Sequence, residues 1–411
     1  MTIVLPQHAA HPWFEVRNDV LTVAGRALRD IMLQYGAHPG YVYDRSVMQR
    51  KVSELRHILP PTIRLHYAMK ANPHPAVVAH MQGLVDGCDV ASAGEMDVAL
   101  ASGFAAHRIS FAGPGKRHAE LVRAAAAGVT LNVESRRELT ILASLARGSG
   151  LRARVAVRVN PDFELKSSGM KMSGGAKPFG IDAEDVPEVL REIGTLPLEF
   201  AGLHVFAGSQ NLKADAIVEA QRRSLALAIE LARHAPVPPP VLNLGGGFGI
   251  PLFPGDQPLD LAPIAANLRE VAAIAARELP QTELVLELGR YLVGEAGIYA
   301  CQVLERKVSR GQVFLITTGG MHQHLSASGN FGQVLRKNYP VLIADKVTGT
   351  QREIVSVVGP LCTPLDLLAD RMEMARAEPG DWVAVLQSGA YGFTASPRSF
   401  LSHPEPVEIV V

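Results

Sequence analysis

Cysteine is scarce in this chain, charge of neither sign is in excess, and no run is long and continuously apolar. Three cysteines, Cys88, Cys301 and Cys362, lie far apart and form no Cys-x-x-Cys pair. That spacing argues against a disulfide framework and a cysteine-held zinc, and it suits a reducing, cytoplasmic location. Forty Lys and Arg balance forty Asp and Glu, a formal net charge of zero. The electrostatic footprint of a nucleic-acid partner or an anionic membrane surface is therefore missing. No window is long and apolar enough to span a bilayer. Residues 1–8 have neither a basic n-region nor a long apolar core, so no signal peptide is expected. Low-complexity and repeated segments are also lacking.

What remains is a folded chain of 411 residues, 47% hydrophobic and 19% charged. That length exceeds what one hydrophobic core usually supports, which predicts two domains or a large barrel with an appendage. Residues 13–24 read as two short strands around an Asn-Asp turn, and a lone hairpin must join a sheet made elsewhere. Eight apolar strand candidates follow, at 63–70, 84–91, 109–113, 129–133, 154–159, 199–207, 241–246 and 284–288, mostly separated by helical stretches. Ser135 with Glu138 at capping-box spacing, and Asp260 before an apolar run, mark two helix starts. A six-strand doubly wound sheet competes, but the count of eight over about 230 residues favours an α/β fold of the (β/α)8 type, a TIM-like barrel.

Past residue 294 the texture changes to β-branched runs at 298–304, 313–317, 353–358, 382–386 and 407–411, with 345–351 read as a hairpin connection. The expected division is 1–36 as N-terminal strands joining a β domain, 37–294 as the barrel, and 295–411 as the C-terminal β domain.

The stretch that organises the chain is residues 66–75, where an apolar strand runs out at Lys70 and Asn72-Pro73 stops extended pairing. In a (β/α)8 barrel the chemistry sits where strands end at the C-terminal face. Lys70 ends strand one, Asp89 strand two, Arg158 and Asn160 strand five, His204 and Phe206 strand six, Gly245, Gly246 and Gly247 strand seven, and Glu287 and Arg290 strand eight. Phosphates in this architecture commonly bind after strands seven and eight. There the triple glycine lets backbone N–H groups approach an anion, and Arg290 neutralises its charge. Ser209 adds a hydroxyl to the same group. A lysine facing a phosphate site predicts pyridoxal phosphate held as a Schiff base, and Glu287 is the carboxylate that keeps the cofactor's ring nitrogen protonated. His322-Gln-His324 lacks a nearby third ligand and helical spacing, so no metal is expected.

Several motifs together make a resemblance specific: Tyr67-Ala-Met-Lys70-Ala-Asn72, Asp89-Val-Ala-Ser92, Gly208-Ser209, Gly245-Gly-Gly-Phe-Gly249, Glu287-Leu-Gly-Arg290, Cys362 and Gly389-Ala-Tyr391. In order and across nearly the whole chain, they resemble the fold type III pyridoxal phosphate decarboxylases, which include the ornithine, arginine and diaminopimelate enzymes. Gly-Asn-Phe-Gly-Gln-Val at 329–334 and Asn243-Leu-Gly-Gly-Gly-Phe-Gly-Ile-Pro251 are similar to the branch called exosortase-A-system-associated pyridoxal-dependent decarboxylases. Related enzymes of antibiotic pathways act on carrier-protein-bound amino acids.

The resemblance implies an α-decarboxylase with pyridoxal 5'-phosphate on Lys70, Glu287 at the ring nitrogen, and Ser209, Gly245–Gly247, Arg290 and Tyr391 at the phosphate. It also implies a homodimer with shared active sites, in which Cys362 of a second subunit reprotonates the product. Asp89, Arg158, His204 and Phe206 join the cofactor group, and Thr363, Asp366 and Tyr391 the substrate group.

Three departures from the family pattern matter, and the third bears on the substrate. The family's His-x-Gly-Ser reads Phe206-Ala-Gly-Ser209, so an aromatic face is retained without a protonatable edge. Glu-Pro-Gly-Arg reads Glu-Leu-Gly-Arg. The acidic residue that follows the cysteine in enzymes of basic substrates is Thr363. The substrate is therefore expected to be an amino acid or a carrier-linked amino-acyl group whose distal end is neutral or anionic. A diaminopimelate or other free basic amino acid decarboxylase, a racemase on the same fold, and a non-catalytic pyridoxal phosphate-binding homologue are the alternatives.

Overall fold

Eight parallel strands close a barrel in the computed structural model, which describes residues 7–163, 170–171 and 173–411. They are β1 (Ile63–Ala68), β2 (Gly87–Val90), β3 (Ile109–Phe111), β4 (Thr130–Val133), β5 (Arg154–Asn160), β6 (Glu199–Val205), β7 (Val241–Gly246) and β8 (Glu283–Leu288). Neighbours pair in chain order, β8 returns to β1, and β4 pairs with β5 to leave no open edge. Helices return the chain after each of the first seven strands: α1 (Pro75–Gln82), α2 (Ala93–Ala101), α3 (His118–Ala127), α4 (Arg136–Ser149), α5 (Val186–Thr195), α6 (Ala214–Ala232) and α7 (Ala262–Glu278). Each right-handed strand–helix–strand step buries an apolar helix stripe on the sheet. In α5, for example, Val186, Val189, Leu190 and Ile193 form the buried i, i+3, i+4, i+7 face.

This barrel unit spans Lys51–Ile250 and Leu259–Tyr291. All eight expected strands are present. β1 ends earlier than residue 70, however, because Met69–Ala71 turns as a short 3-10 helix. Ser135 caps α4 by accepting the Glu138 N–H at 3.4 Å, but the box is not reciprocal, since the Glu138 carboxylate accepts from Glu134 N instead.

The second unit gathers residues 1–50, Pro251–Pro258 and Leu292–Val411. Its boundaries differ from the expected 36/37 and 294/295 because Gly40–Tyr43, placed in the barrel by position alone, pairs antiparallel with residues 297–300. The main sheet runs Val341–Ile343, Trp382–Val385, Gly297–Ser309, Gln312–Thr317, Arg352–Val358 and Leu367–Ala375. Gly40–Tyr43 adds to Gly297–Ser309, and Val407–Val410 adds in parallel to Gly40–Tyr43.

Two expectations change here. The N-terminal hairpin forms as expected around Asn18 and Asp19, both left-handed, yet with Arg26–Ala27 it makes a separate three-stranded sheet. Leu21 and Val23 from it enter a core with Val42, Ile298, Trp382 and Ile409. Residues 345–351 do not join a hairpin, since Val341–Ile343 pairs with Trp382–Val385 while Arg352–Val358 pairs with Gln312–Thr317 and Leu367–Ala375. The Leu367–Ala375 strand escaped a pattern reading because Asp370, Arg371 and Glu373 interrupt it, and Arg371 sits at φ +46°. Among the described residues, no helix is long and apolar enough to cross a membrane.

Candidate active site

Lys70 is set by its own turn. Tyr67 Oη donates to the Asn72 carbonyl at 2.7 Å, and Asn72 Oδ1 accepts from His74 N at 3.1 Å, which closes the strand end before α1 begins at Pro75. Gly289, between Glu287 and Arg290, lets β8 pass this turn, because a Cβ there would lie 2.9 Å from the Ala68 carbonyl and the Ala71 methyl. The amine of Lys70 lies 5.0 Å from the centroid of the Phe206 ring. The aromatic at the departed family position thus does face the lysine.

Behind the lysine is a buried layer of two carboxylates and two imidazoles. His204 Nε2 is 3.2 Å from Glu287 Oε2, and Asn243 Nδ2 donates to the same oxygen at 3.4 Å. His66 Nδ1 lies 3.3 Å from Asp89 Oδ2, an ion-pair distance but out of line for a hydrogen bond, and neither Asp89 oxygen accepts one. Burial alone would raise the Glu287 carboxyl, but the adjoining His204 imidazole and the charges of Lys70 and Arg158 hold it well below the usual range. Asp89 is displaced the other way, by burial and by the Glu287 charge, against the pull of His66 and His204. Burial would lower His66, yet Asp89, with Glu287 and Asp86 beyond, leaves it raised. His66 carries no expectation from the sequence beyond opening the 66–75 stretch. A period-two count placing His66 and Ala68 on one face of β1 was the available signal.

The glycine run after β7 has a packing cause of its own. A Cβ on Gly245 would lie 2.8 Å from the Val205 carbonyl, one on Gly246 would run into the Glu287 carbonyl, and one on Gly247 into the Gly208 carbonyl. Gly245 and Gly247 also adopt φ of +66° and +73°. The Gly245 N–H donates to Asn243 Oδ1 at 2.8 Å, so this amide is committed to the loop and not to an anion, contrary to the expectation for the triplet as a whole. Ser209 borders the same loop through the approach of Gly247 to Gly208, and Arg290 opens the short helix Arg290–Val293, buried.

Arg158 belongs to a second buried network that the sequence reading did not find. Its Nη1 donates to Glu134 Oε1 at 2.9 Å, and Glu134 also accepts from Gly113 N and Gly180 N, at 2.6 and 2.9 Å. Lys116 Nζ lies 3.1 Å from Glu138 Oε1 and donates to the Gly113 carbonyl at 2.7 Å. Both side chains of the Lys116–Glu138 pair are about 1% exposed. Burial pushes the lysine down and the carboxyl up, so desolvation outweighs their attraction. Lys116→Met, which strands the Glu138 charge, is expected to lower unfolding free energy by about 3–5 kcal/mol, read from urea denaturation. A change under about 1 kcal/mol would show that water reaches Glu138.

The remaining expected residues lie in the second unit. Cys362 is exposed and Thr363 half-buried. Asp366, expected to reach substrate, is 2% exposed and joins two segments, where Oδ2 accepts from Leu361 N of its own loop at 2.8 Å and Oδ1 from Met321 N at 2.6 Å. Gly320 and Gly359 leave no room for a Cβ beside that carboxylate. Asp366 therefore shapes the Cys362 loop. Tyr391 sits at φ +54°, a strained backbone for an aromatic residue, and its carbonyl accepts from Ser326 Oγ at 2.7 Å. His324 Nε2 is 2.8 Å from Ser388 Oγ, a structural contact, and no metal-holding group of three ligands is found among the described residues.

A lysine over an aromatic face, a buried carboxylate held ionised and a glycine-lined loop are the residue types that a pyridoxal-dependent site requires, and comparison with known proteins shows the class. Residues 45–294 match the family model of the pyridoxal-dependent decarboxylases, pyridoxal binding domain. This chain belongs to that family: it is a pyridoxal phosphate-dependent amino-acid decarboxylase, a lyase. It is 39% identical over 380 residues to the L-glutamyl-[BtrI acyl-carrier protein] decarboxylase of Niallia circulans, covering 90% of this chain and 88% of that one. It is 31% identical over 407 residues to the diaminopimelate decarboxylase of Aquifex aeolicus, covering 98% and 93%. A crystal structure of an Aquifex aeolicus protein superimposes with a TM-score of 0.85 at 29% identity, over 97% of this chain and 92% of the other. The decarboxylase expectation thereby stands over the racemase and non-catalytic alternatives.

Proposed function

We propose that the protein removes the α-carboxylate of an amino-acyl group whose distal end is neutral or anionic, a glutamyl or similar acyl group joined to a carrier protein or larger conjugate. The observation that carries this reading is the Cys362 loop. A substrate such as diaminopimelate, ornithine or lysine brings a distal ammonium into a partly desolvated site, where an unpaired charge costs several kcal/mol. The residue after Cys362 is Thr363, which hydrogen-bonds but does not neutralise a cation. The next carboxylate along, Asp366, is committed to Met321 N and Leu361 N. The similarity to a decarboxylase of a carrier-linked glutamyl group supports the same choice.

The barrel residues fit pyridoxal phosphate. Lys70 presents its amine above the Phe206 face, Glu287 is an ionised buried carboxylate suited to a protonated ring nitrogen, and Asp89 has two buried oxygens without hydrogen bonds. Lys70 would bind the cofactor aldehyde, and Ser209, Gly246, Gly247, Arg290 and, as the resemblance implies, Tyr391 would hold its phosphate. Arg158 and His204 border the ring, the latter by holding Glu287. The bound cofactor supplies the electron sink for loss of CO2. Cys362, an exposed thiol, returns a proton to the product carbon from the second subunit of a homodimer. The motifs at 243–251 and 329–334 support membership of the exosortase-A-system-associated branch, and the free cysteines suit the cytoplasm.

The test is CO2 release from free ornithine, lysine, arginine and diaminopimelate, run beside a glutamyl group tethered to a carrier protein. Turnover of the tethered group and weak or absent release from the free basic amino acids is expected. Turnover of any free basic amino acid at kcat/KM on the order of 10⁴ M⁻¹s⁻¹ or more overturns the reading of Thr363.

A further inference from the structure

A cavity of about 270 Å³ enters the barrel from its N-terminal face, the end opposite Lys70. Its mouth is formed where strands start, at Arg108, Thr130, Arg154, Val241 and Glu283, and the His66 and Asn243 side chains also line it. Its walls are largely apolar, with Ile109, Leu203 and Val285 among them, but Ser110, Asn132, His66 and Asn243 supply the polar partners that a water inside it needs. Both inner residues lead directly to the carboxylate layer: Asn243 donates to Glu287, and His66 stands against Asp89.

The layer poses an electrostatic problem. Asp89 and Glu287 are both fully enclosed, and two like charges so placed oppose each other's ionisation. Glu287 has His204, Asn243 and the Lys70 charge on its side. Asp89 has His66. The other groups that face His66 are already neutralised or distant: Asp86 is bound by Arg56 at 2.5 Å and approached by Arg64 at 3.6 Å, and Glu283 at the mouth is bound by Arg108 and Arg64. Gly87, opposite His66 on β2, has no room for a Cβ because the imidazole and the Arg108 carbonyl occupy it, so the ring is held in place by packing as well as by charge.

We propose that His66 is a positioning residue: as an imidazolium reached by water through this cavity, it keeps Asp89 a carboxylate beside Glu287 and so sets the charge of the layer that faces the cofactor. An imidazolium at His66, 3.3 Å from Asp89, gives that carboxylate its counter-charge. Without His66, Asp89 takes up a proton from solvent, and its repulsion with Glu287 is relieved by the loss of one carboxylate charge. The role of the layer toward the cofactor rests on the reading of Lys70 and Glu287 given above, whereas the His66–Asp89 pair does not.

Two measurements test it. In ¹⁵N NMR of the full-length protein, His66 is expected to be an imidazolium at pH 6 and to lose its proton at lower pH in Asp89→Asn than in the wild type. In the holoenzyme, His66→Gln is expected to shift the pH profile of the cofactor's near-visible absorption by about one unit and to lower kcat about tenfold with KM within about twofold. A neutral His66 at pH 6 in the wild type overturns the proposal, whether or not the variant folds. An unchanged absorption profile in a folded His66→Gln protein overturns it as well. If borohydride fixes the cofactor elsewhere than on Lys70, the site reading fails, and the NMR titration still decides the His66–Asp89 pair.

Discussion

Lys70→Ala is expected to lose the near-visible absorption of bound cofactor and to lower kcat by on the order of 10⁴-fold, while far-UV circular dichroism and the urea midpoint stay close to wild type. The stability expectation follows from the half-buried position of Lys70 on a turn that is closed by Tyr67 and Asn72, not by the lysine. The catalytic expectation follows from its amine, which faces an aromatic ring and lies near an ionised Glu287. Lys116, also in the barrel unit, makes a useful contrast, since its ammonium is occupied by Gly113 O and both Glu138 oxygens. Borohydride reduction followed by peptide mapping should therefore mark the peptide containing Lys70. Label on the Lys116 peptide would sink the assignment.

Mixing two inactive variants should regenerate activity. If each active site draws its lysine from one subunit and its cysteine from the other, a hybrid of Lys70→Ala and Cys362→Ala subunits has one site with both defects and one with neither. Random reassortment makes half of the dimers hybrids, so about a quarter of wild-type activity is expected. The motivation is that Lys70 and Cys362 belong to different compact units of one chain, and that Cys362 is exposed with its loop pinned from behind by Asp366. Hybrids that form, as shown by native mass spectrometry of differently tagged subunits, and remain as inactive as their parents would reject shared sites.

The eight barrel strands were legible because each is a short, mostly apolar run, too short for a core helix, bounded by Gly, Pro or polar residues and followed in most cases by a helical stretch. The β domain was legible in outline but not in pairing. Gly40–Tyr43 carries no mark of its partner, and the sheet it joins lies more than 250 residues away. Leu367–Ala375 was lost because one of its faces is exposed and charged.

At the site, residue types and their order along the chain determined by themselves which chemistry is present: a lysine at a strand end, a carboxylate and an arginine three apart, a glycine run and a late cysteine. Those signals are local, so they survive without the fold. Tertiary structure decided every pairing. It gave His204 to Glu287, set His66 against Asp89 from the next strand, tied Arg158 to Glu134, and committed Asp366 to the backbone amides of Met321 and Leu361. It also showed that close strand packing by itself requires the glycines of the run. The physical reason is that a side chain's charge, reach and hydrogen-bonding capacity belong to the residue, whereas its burial and its partner depend on which strands the barrel brings alongside.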